Sequence, residues 1–214
     1  MVTTDRRDAD DRELTPAESL ALIDSTLRTT RDALAFSEWP YYAIWGLAWG
    51  VAFTVTHLAR STVDAPLAQM PDGAVGVVWL VCVGAAIAAT GVIVAHGSRG
   101  LAGTTARMGR RLGLSWFAAF AAAGPLGALL DLDEHEFGAL FVFVVALLYL
   151  GQGAAFADDL QLGVGVWLLA VDVVALAVGP AWFNLVLAVF GAGAFGVAAV
   201  VARRSPQRVG LADG

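Results

Sequence analysis

Long apolar stretches separated by short polar connections run through the chain from residue 41 onward. A helix needs about twenty apolar residues to cross roughly 30 Å of hydrocarbon, and six stretches reach that length. The pattern therefore predicts an all-α membrane protein, a bundle of six transmembrane helices. The predicted spans cover residues 41–59, 74–95, 112–130, 137–156, 160–178 and 181–202.

The connections divide the chain into three parts. Residues 1–39 are predicted to be an acidic disordered tail followed by a cytosolic helix, residues 40–202 the transmembrane domain, and residues 203–214 a cytosolic tail. The fifth and sixth spans are joined only by Gly179 and Pro180, and proline cannot continue a helix without losing a hydrogen bond. This dipeptide predicts a tight helical hairpin, and Asp158 is expected to cap the start of the fifth span.

Arginine positions predict the orientation. Twelve of the thirteen arginines lie in the two tails and the second connection, and only Arg60 lies in an odd-numbered connection. Because cytosolic segments carry the excess of basic residues, both termini are expected in the cytoplasm of a multi-pass cell-membrane protein. An even number of spans agrees with that expectation.

The cytosolic segment begins a helix at Thr15, since Thr15-Pro16-Ala17-Glu18 has the pattern of a capping box with proline at the first helical position. Apolar residues then recur at helical spacing on one face. This face fits a protein partner better than anionic lipid, because the helix has three acids against two arginines; packing under its own bundle is the structural alternative. The face consists of Leu20, Ile23, Leu27 and Leu34.

Composition supports a membrane protein and removes several functions. The chain is 58% hydrophobic and 15% charged, against roughly 25% charged in soluble domains. No lysine is present, which excludes Schiff-base chemistry and the P-loop lysine, and a single cysteine, Cys82, excludes an intramolecular disulfide. The net charge of −6 argues against a nucleic-acid partner. No cofactor is predicted.

Asp172 is the one acid near the middle of a predicted span. An ionised carboxylate there costs about 2.5 to 3.5 kcal/mol, and no arginine lies inside a span to pair with it. We expect a neutral carboxyl that is hydrogen-bonded by Tyr149 or Thr54, which lie at similar depth. The group either joins two helices or forms a proton- or cation-responsive site.

Signatures of enzymes and metal sites are incomplete. His135-Glu136 begins like the zinc motif HExxH, but Ala139 stands where the second histidine is needed. The acidic loop 131–136 offers ligand types for a divalent cation, yet such a run is more often a turn that caps the next helix. The sequence therefore predicts a chain that is not an enzyme, and no metal site.

Glycines mark where helices are expected to approach closely. Gly46 and Gly50 form a GxxxG pattern in the first span, and small residues recur in the sixth. This pattern favours a compact bundle and provides a face on which a homo-oligomer could form. The glycines expected in the sixth span are Gly191, Gly193 and Gly196.

Short matches suggest that the halves of the membrane domain are related. Gly50-Val51-Ala52-Phe53 in the first span matches residues 153–156 in the fourth, and similar matches pair the second span with the fifth and the third with the sixth. Three spans per repeat would insert in opposite orientations, as in many transporters. Two inverted three-helix repeats are therefore an alternative description of the fold, although apolar sequences also match by chance.

The pattern Trp45-Gly46-x-x-Trp49-x-x-x-Phe53 resembles that of uncharacterised small bacterial six-span integral membrane proteins. The resemblance covers one helix. Because these proteins have no established activity, it implies the membrane fold and gives no residue a role.

Two functions follow from these observations. The first is a non-catalytic accessory or regulatory protein that acts through protein partners, by its cytosolic helix or by helix packing within the bilayer. The alternative is a small proton-coupled or solute transporter with Asp172 at a midplane site. A dry bundle would favour the first function, and a polar cavity lined by spans two, four and five would favour the second.

Overall fold

The computed structural model describes Thr15, Pro16, residues 18–20, Leu22, and residues 38–61, 70–97 and 104–204. The chain divides into two compact units, one formed by residues 1–36 and 206–214 and the other by residues 37–205. Nothing but helices and their connections occurs in the described ranges, and the membrane domain lies entirely in the second unit.

Six of the described helices are long and apolar enough to cross a membrane, so the prediction of an all-helical fold with six helices of membrane-spanning length is confirmed. Each helix is rich in apolar residues with good or tolerable helix propensity. A helix also satisfies all backbone hydrogen bonds within the segment, which a lipid environment requires because it offers no other partner. They are α1 (Trp39–Arg60), α2 (Asp72–Gly97), α3 (Thr104–Leu129), α4 (Glu134–Phe156), α5 (Asp159–Val178) and α6 (Pro180–Arg204).

The helices of the bundle are not equivalent. α6 packs against α1, α4 and α5, and α4 and α5 form a closely packed antiparallel pair. In contrast, α2 contacts only α1, and α3 contacts only α4, among the described helices. In the most apolar 18-residue stretch of α2, only 6% of the residues are buried, compared with 33% in the corresponding stretch of α6. The core therefore lies among α1, α4, α5 and α6, and α2 and α3 are peripheral.

Side-chain contacts define the two ends of the bundle. At one end, called the Glu38 end, the guanidinium of Arg203 lies 5.6 Å from the ring of Trp39. At the other, called the Arg60 end, Arg60 forms a 2.8 Å ion pair with Glu134. These contacts join the start of α1 to the end of α6, and the end of α1 to the start of α4.

The fifth helix begins and ends at the residues that the sequence predicts. The Asp158 carboxylate accepts hydrogen bonds from the backbone N–H groups of Leu160 and Gln161, at 3.0 and 3.1 Å. Between α5 and α6, Gly179 adopts φ +84°, a conformation that side chains other than glycine rarely accept, and Pro180 follows at the first helical position. Both predicted boundaries are confirmed.

α6 is not a regular α-helix throughout. Its middle, Leu187–Gly191, is a π-helical turn between the α-helical segments Pro180–Val186 and Ala192–Arg204. Such turns widen the helix by one residue and leave a backbone carbonyl available to another donor. The apolar pattern of the sixth span gives no sign of it.

The two halves of the domain pack differently. α4, α5 and α6 all contact one another, whereas α1 contacts α2 but neither of them contacts α3 in the described part of the chain. Packing alone does not decide whether the halves arose by duplication, because duplication also concerns sequence ancestry. The two inverted repeats therefore stay a prediction.

Candidate functional site

Asp172 lies within about 5 Å of the middle of α5, counting 1.5 Å per helical residue. It is 5% exposed, and it stands among the apolar residues Leu168, Val171 and Ala175, which are also buried. Its Oδ1 has no hydrogen-bond partner among the described residues. Asp172 is thus a polar group enclosed in an apolar part of the bundle.

The hydrogen bonds that we expected at Asp172 are not formed by the expected residues. Thr54 is exposed on α1, and α1 does not contact α5 among the described helices. Tyr149 of α4 instead packs its ring 5.7 Å from that of Trp116 and 5.8 Å from that of Phe195. The structure therefore does not bring the three predicted polar residues together, because depth alone, from which they were chosen, does not determine which face of a helix each occupies.

Thr56, two residues beyond Thr54, makes a polar contact inside the membrane domain that the sequence did not indicate. Its Oγ1 donates a 2.8 Å hydrogen bond to the carbonyl oxygen of Ala52 and accepts one of 2.9 Å from Nε1 of Trp79. Thr56 is buried, and Trp79 belongs to the peripheral helix α2. This pair gives α2 a directional attachment to α1.

Aromatic rings link five of the six spans. Successive ring centroids from α2 to α1, α6, α4 and α3 lie 4.8 to 5.8 Å apart, within the range of favourable edge-to-face and offset contacts. This interior is filled by side chains. The chain of rings consists of Trp79, Phe53, Trp49, Phe195, Tyr149 and Trp116.

The predicted packing glycines have different surroundings. A Cβ at Gly46 would lie 3.0 Å from Cβ of Phe195, and one at Gly50 would lie 3.5 Å from Cβ of Ala192, so α1 and α6 approach closely there. Gly191 has only ordinary contacts, at 3.6 to 3.8 Å. Gly193 and Gly196 have open space where a Cβ would be, so neither needs to be glycine for packing in this bundle.

The backbones of α4 and α5 approach closely at two glycines that the sequence pattern did not indicate. A Cβ at Gly165 would lie 2.8 Å from the backbone N of Leu150, and one at Gly153 would lie 2.7 Å from Cα of Leu162. These positions fix the crossing of α4 and α5. Each is flanked, two residues earlier, by a glycine with open space around it, Gly163 and Gly151.

The π-helical turn of α6 is joined to α5 by a hydrogen bond. Nε1 of Trp167 donates to the carbonyl oxygen of Phe190 over 3.0 Å. Trp167 is half exposed, so this contact lies at the edge of the bundle rather than beside the enclosed Asp172. It satisfies a carbonyl in the π-helical turn.

At the Arg60 end, the acidic loop acts as a helix cap. The Asp133 carboxylate accepts hydrogen bonds from the N–H groups of His135 and Glu136, and the Glu136 carboxylate accepts one from the N–H of Asp133, which completes a capping box. The interpretation of this run as a cap is confirmed. Among the described residues, no group of three or more histidine, cysteine or acidic side chains is arranged to hold a metal ion.

At the Glu38 end, two carboxylates influence each other. Burial, followed by the charge of Asp158, raises the pKa of Glu38 to about 7. Asp158 is the cap of α5, so the group that fixes the α4–α5 connection also opposes ionisation of Glu38.

The segment that begins at Thr15 has the predicted capping hydrogen bonds. Thr15 N donates to Glu18 Oε2 over 2.9 Å, and Glu18 N donates to Thr15 Oγ1 over 3.3 Å. Thr15 Oγ1 also donates to Glu18 Oε2 over 2.8 Å, and the two bonds that the Glu18 carboxylate accepts from Thr15 lower the pKa of Glu18. Of the predicted apolar face, Leu20 is 68% exposed, whereas Ile23, Leu27 and Leu34 lie outside the described residues.

Comparisons with protein-family models, with curated proteins and with solved structures find no match to this chain.

Proposed function

We propose that this protein is a non-catalytic, multi-pass cell-membrane protein that acts through protein partners in an accessory or regulatory role. Its six apolar helices support the membrane assignment. The role itself rests on one observation, the burial of Asp172 among apolar side chains.

A carrier needs a polar path that reaches its binding site from water. Asp172 is 5% exposed, and the core around it is filled by apolar and aromatic side chains. The peripheral helix α2 contacts neither α4 nor α5 among the described helices, so these three do not line a common cavity. These features favour a protein whose bundle is a scaffold.

The cytosolic helix is the proposed docking element. Its cap gives it a defined start at Thr15, and Leu20 offers apolar surface. An amphipathic helix of this kind binds by placing its apolar face in a groove of a partner. We propose the face of Leu20, Ile23, Leu27 and Leu34 as that contact.

Affinity purification of the full chain in mild detergent tests this function. Wild type is expected to retain a stoichiometric companion, and Leu20→Asp is expected to lose it because a carboxylate would be buried in the contact. Leu22→Asp is the matched control, since residue 22 lies on another side of the helix from residue 20. Equal recovery of the companion by wild type and Leu20→Asp would argue against this docking element.

The alternative function is a small proton-coupled or solute transporter built on two inverted repeats around Asp172. The unpartnered Oδ1 of Asp172 near the middle of α5 favours it. Under this alternative, Asp172→Asn abolishes pH-driven uptake into proteoliposomes while the melting temperature stays unchanged, because asparagine cannot titrate. Uptake by wild type that the Asn variant lacks would replace the first proposal.

The arrangement in the membrane is also a proposal. In the described bundle, one arginine, Arg60, lies at the Arg60 end, and five lie at the Glu38 end. These five are Arg107, Arg110, Arg111, Arg203 and Arg204. The positive-inside rule then supports a cytoplasmic Glu38 end and cytoplasmic termini. Membership of the small bacterial six-span proteins, and formation of a homo-oligomer, stay predictions.

A further inference from the structure

A groove of about 400 Å³ lies between α3 and α4 near the Glu38 end. It is open along one side, because α3 contacts only α4 among the described helices. Apolar side chains form most of its wall, and three polar residues interrupt it. The groove is lined by Arg111, Leu112, Ser115, Leu147, Leu148, Gly151, Gln152, Ala155 and Phe156.

The rim of the groove is positively charged. Arg111 lines it, and Arg107 and Arg110 are exposed on the same first turns of α3. The sequence has no acidic residue between Asp72 and Asp131, and none of the three arginines forms an ion pair with a described residue. Within the described bundle, no carboxylate forms an ion pair with these three arginines.

The wall also carries a hydrogen-bond donor without an acceptor. Nε2 of Gln152 is buried and has no partner in the described part of the chain. A buried amide N–H that is left unpaired is costly, so an acceptor supplied from outside the protein would be favoured there. Ser115 cannot donate to that acceptor while its Oγ donates to the carbonyl oxygen of Leu112 over 2.7 Å.

We propose that this groove holds one anionic phospholipid, with its phosphate on Arg111, a headgroup oxygen on Gln152 and an acyl chain along the apolar wall. Guanidinium groups bind phosphate oxygens in a bidentate manner, and basic pockets between spans near the membrane surface suit such headgroups. The long apolar wall formed by Leu147, Leu148 and Phe156 favours a lipid over a free phosphate ion.

Native mass spectrometry of the full chain in detergent, titrated with dioleoyl phosphatidylglycerol, tests the site. Wild type is expected to bind one molecule in preference to dioleoyl phosphatidylcholine. Arg111→Gln is expected to weaken that binding about fivefold, the effect of one arginine near an anionic lipid. Arg204→Gln is the control with the same change of charge at the same end, and it is expected to bind as wild type does.

A second pair of variants tests the acyl chain. Gly151→Leu places a side chain in the groove, where no protein atom lies within 4 Å of a Cβ, and is expected to prevent binding without disturbing the fold. Gly163→Leu on α5 has the same open surroundings outside the groove and is the control. Circular dichroism checks that each variant is folded.

Three outcomes would overturn the site. Equal losses in Arg111→Gln and Arg204→Gln would mean unspecific attraction to the charged end, and unchanged binding in Gly151→Leu would place the lipid elsewhere. Displacement of the lipid by millimolar inorganic phosphate would mean that the groove binds free phosphate.

Discussion

Gly165 of α5 lies so close to Leu150 of α4 that a Cβ atom at position 165 would stand 2.8 Å from both the backbone N and Cγ of Leu150. The backbone of Leu150 cannot move away without disturbing α4. The pairing of α4 with α5 therefore depends on the absence of a side chain at this position, which is how small residues let membrane helices associate.

Gly165→Ala is expected to destabilise the bundle by about 1 to 3 kcal/mol, because the added methyl group overpacks the contact. Gly163 lies two residues earlier on the same helix, and a Cβ atom there would have open space around it. Gly163→Ala is therefore expected to be neutral, or to stabilise the bundle by up to about 1 kcal/mol through its higher helix propensity. Thermal unfolding in detergent measures both. Equal melting temperatures for the two variants would contradict this packing.

Trp79→Phe and Thr56→Val are each expected to loosen the attachment of α2 by removing the same hydrogen bond. The expected cost is about 0.6 kcal/mol, the average for such bonds in membrane proteins, and the double variant should cost less than the sum of the two. Thr54→Val removes an exposed hydroxyl and serves as the control. Unfolding in detergent measures the loss of stability in each variant. If the loss in the double variant equalled the sum of the losses in the two single variants, Trp79 and Thr56 would not interact.

The span boundaries could be predicted because they depend on local sequence. Twenty apolar residues, the Gly179-Pro180 hairpin and the caps at Asp133 and Asp158 each follow from chemistry within a few residues. The hairpin and the caps occur at the predicted residues, and the helices begin and end within about three residues of the predicted spans, except that α3 begins at Thr104 rather than at residue 112.

The packing order of the helices could not be predicted in the same way. Lipid and helix interior are equally apolar, so the pattern does not tell which face of a span is buried. Thr54 and Thr56 illustrate this, because both lie at similar depth, but Thr54 is exposed whereas the buried Thr56 accepts a hydrogen bond from Trp79. Likewise, Gly163 and Gly165 have the same residue type, and only the geometry of the α4–α5 crossing distinguishes them.

Stability is expected to fall as the pH rises from about 4.5 to 7. The pKa of Glu38 is raised from 4.5 to about 7 in the folded protein, first by burial and then by Asp158, so the folded state holds the proton more tightly over that interval. Glu38→Gln should flatten this dependence and raise the melting temperature at pH 8 by on the order of 2 to 4 °C, because solvent screens part of the effect.

Asp158→Asn provides an independent check on Glu38. Asparagine is as good a helix cap as aspartate, so the start of α5 is kept while the negative charge is removed. The pH dependence should then move to lower pH. A pH profile that is identical in wild type, Glu38→Gln and Asp158→Asn would show that these groups do not interact.

Reporter fusions test the orientation. A phosphatase reporter fused after Gly214 is expected to be inactive, and one inserted in the connection near Asp133 is expected to be active, because twelve of thirteen arginines favour the cytoplasmic side. Activity of the phosphatase at Gly214 would contradict the cytoplasmic placement of the C terminus.

Access of water to position 172 distinguishes a scaffold with an apolar interior from a carrier. In a Cys82→Ala background the chain has no other cysteine, so single cysteines at Asp172, at the exposed Val173 on the lipid side of α5 and at Leu130 in the α3–α4 turn can be compared in native membranes. The reagent is a charged, membrane-impermeant methanethiosulfonate. If the bundle is a scaffold with an apolar interior, Leu130→Cys reacts and Asp172→Cys and Val173→Cys do not. Reaction of Asp172→Cys with Val173→Cys still protected would show a water path to the middle of α5 and would indicate a carrier instead.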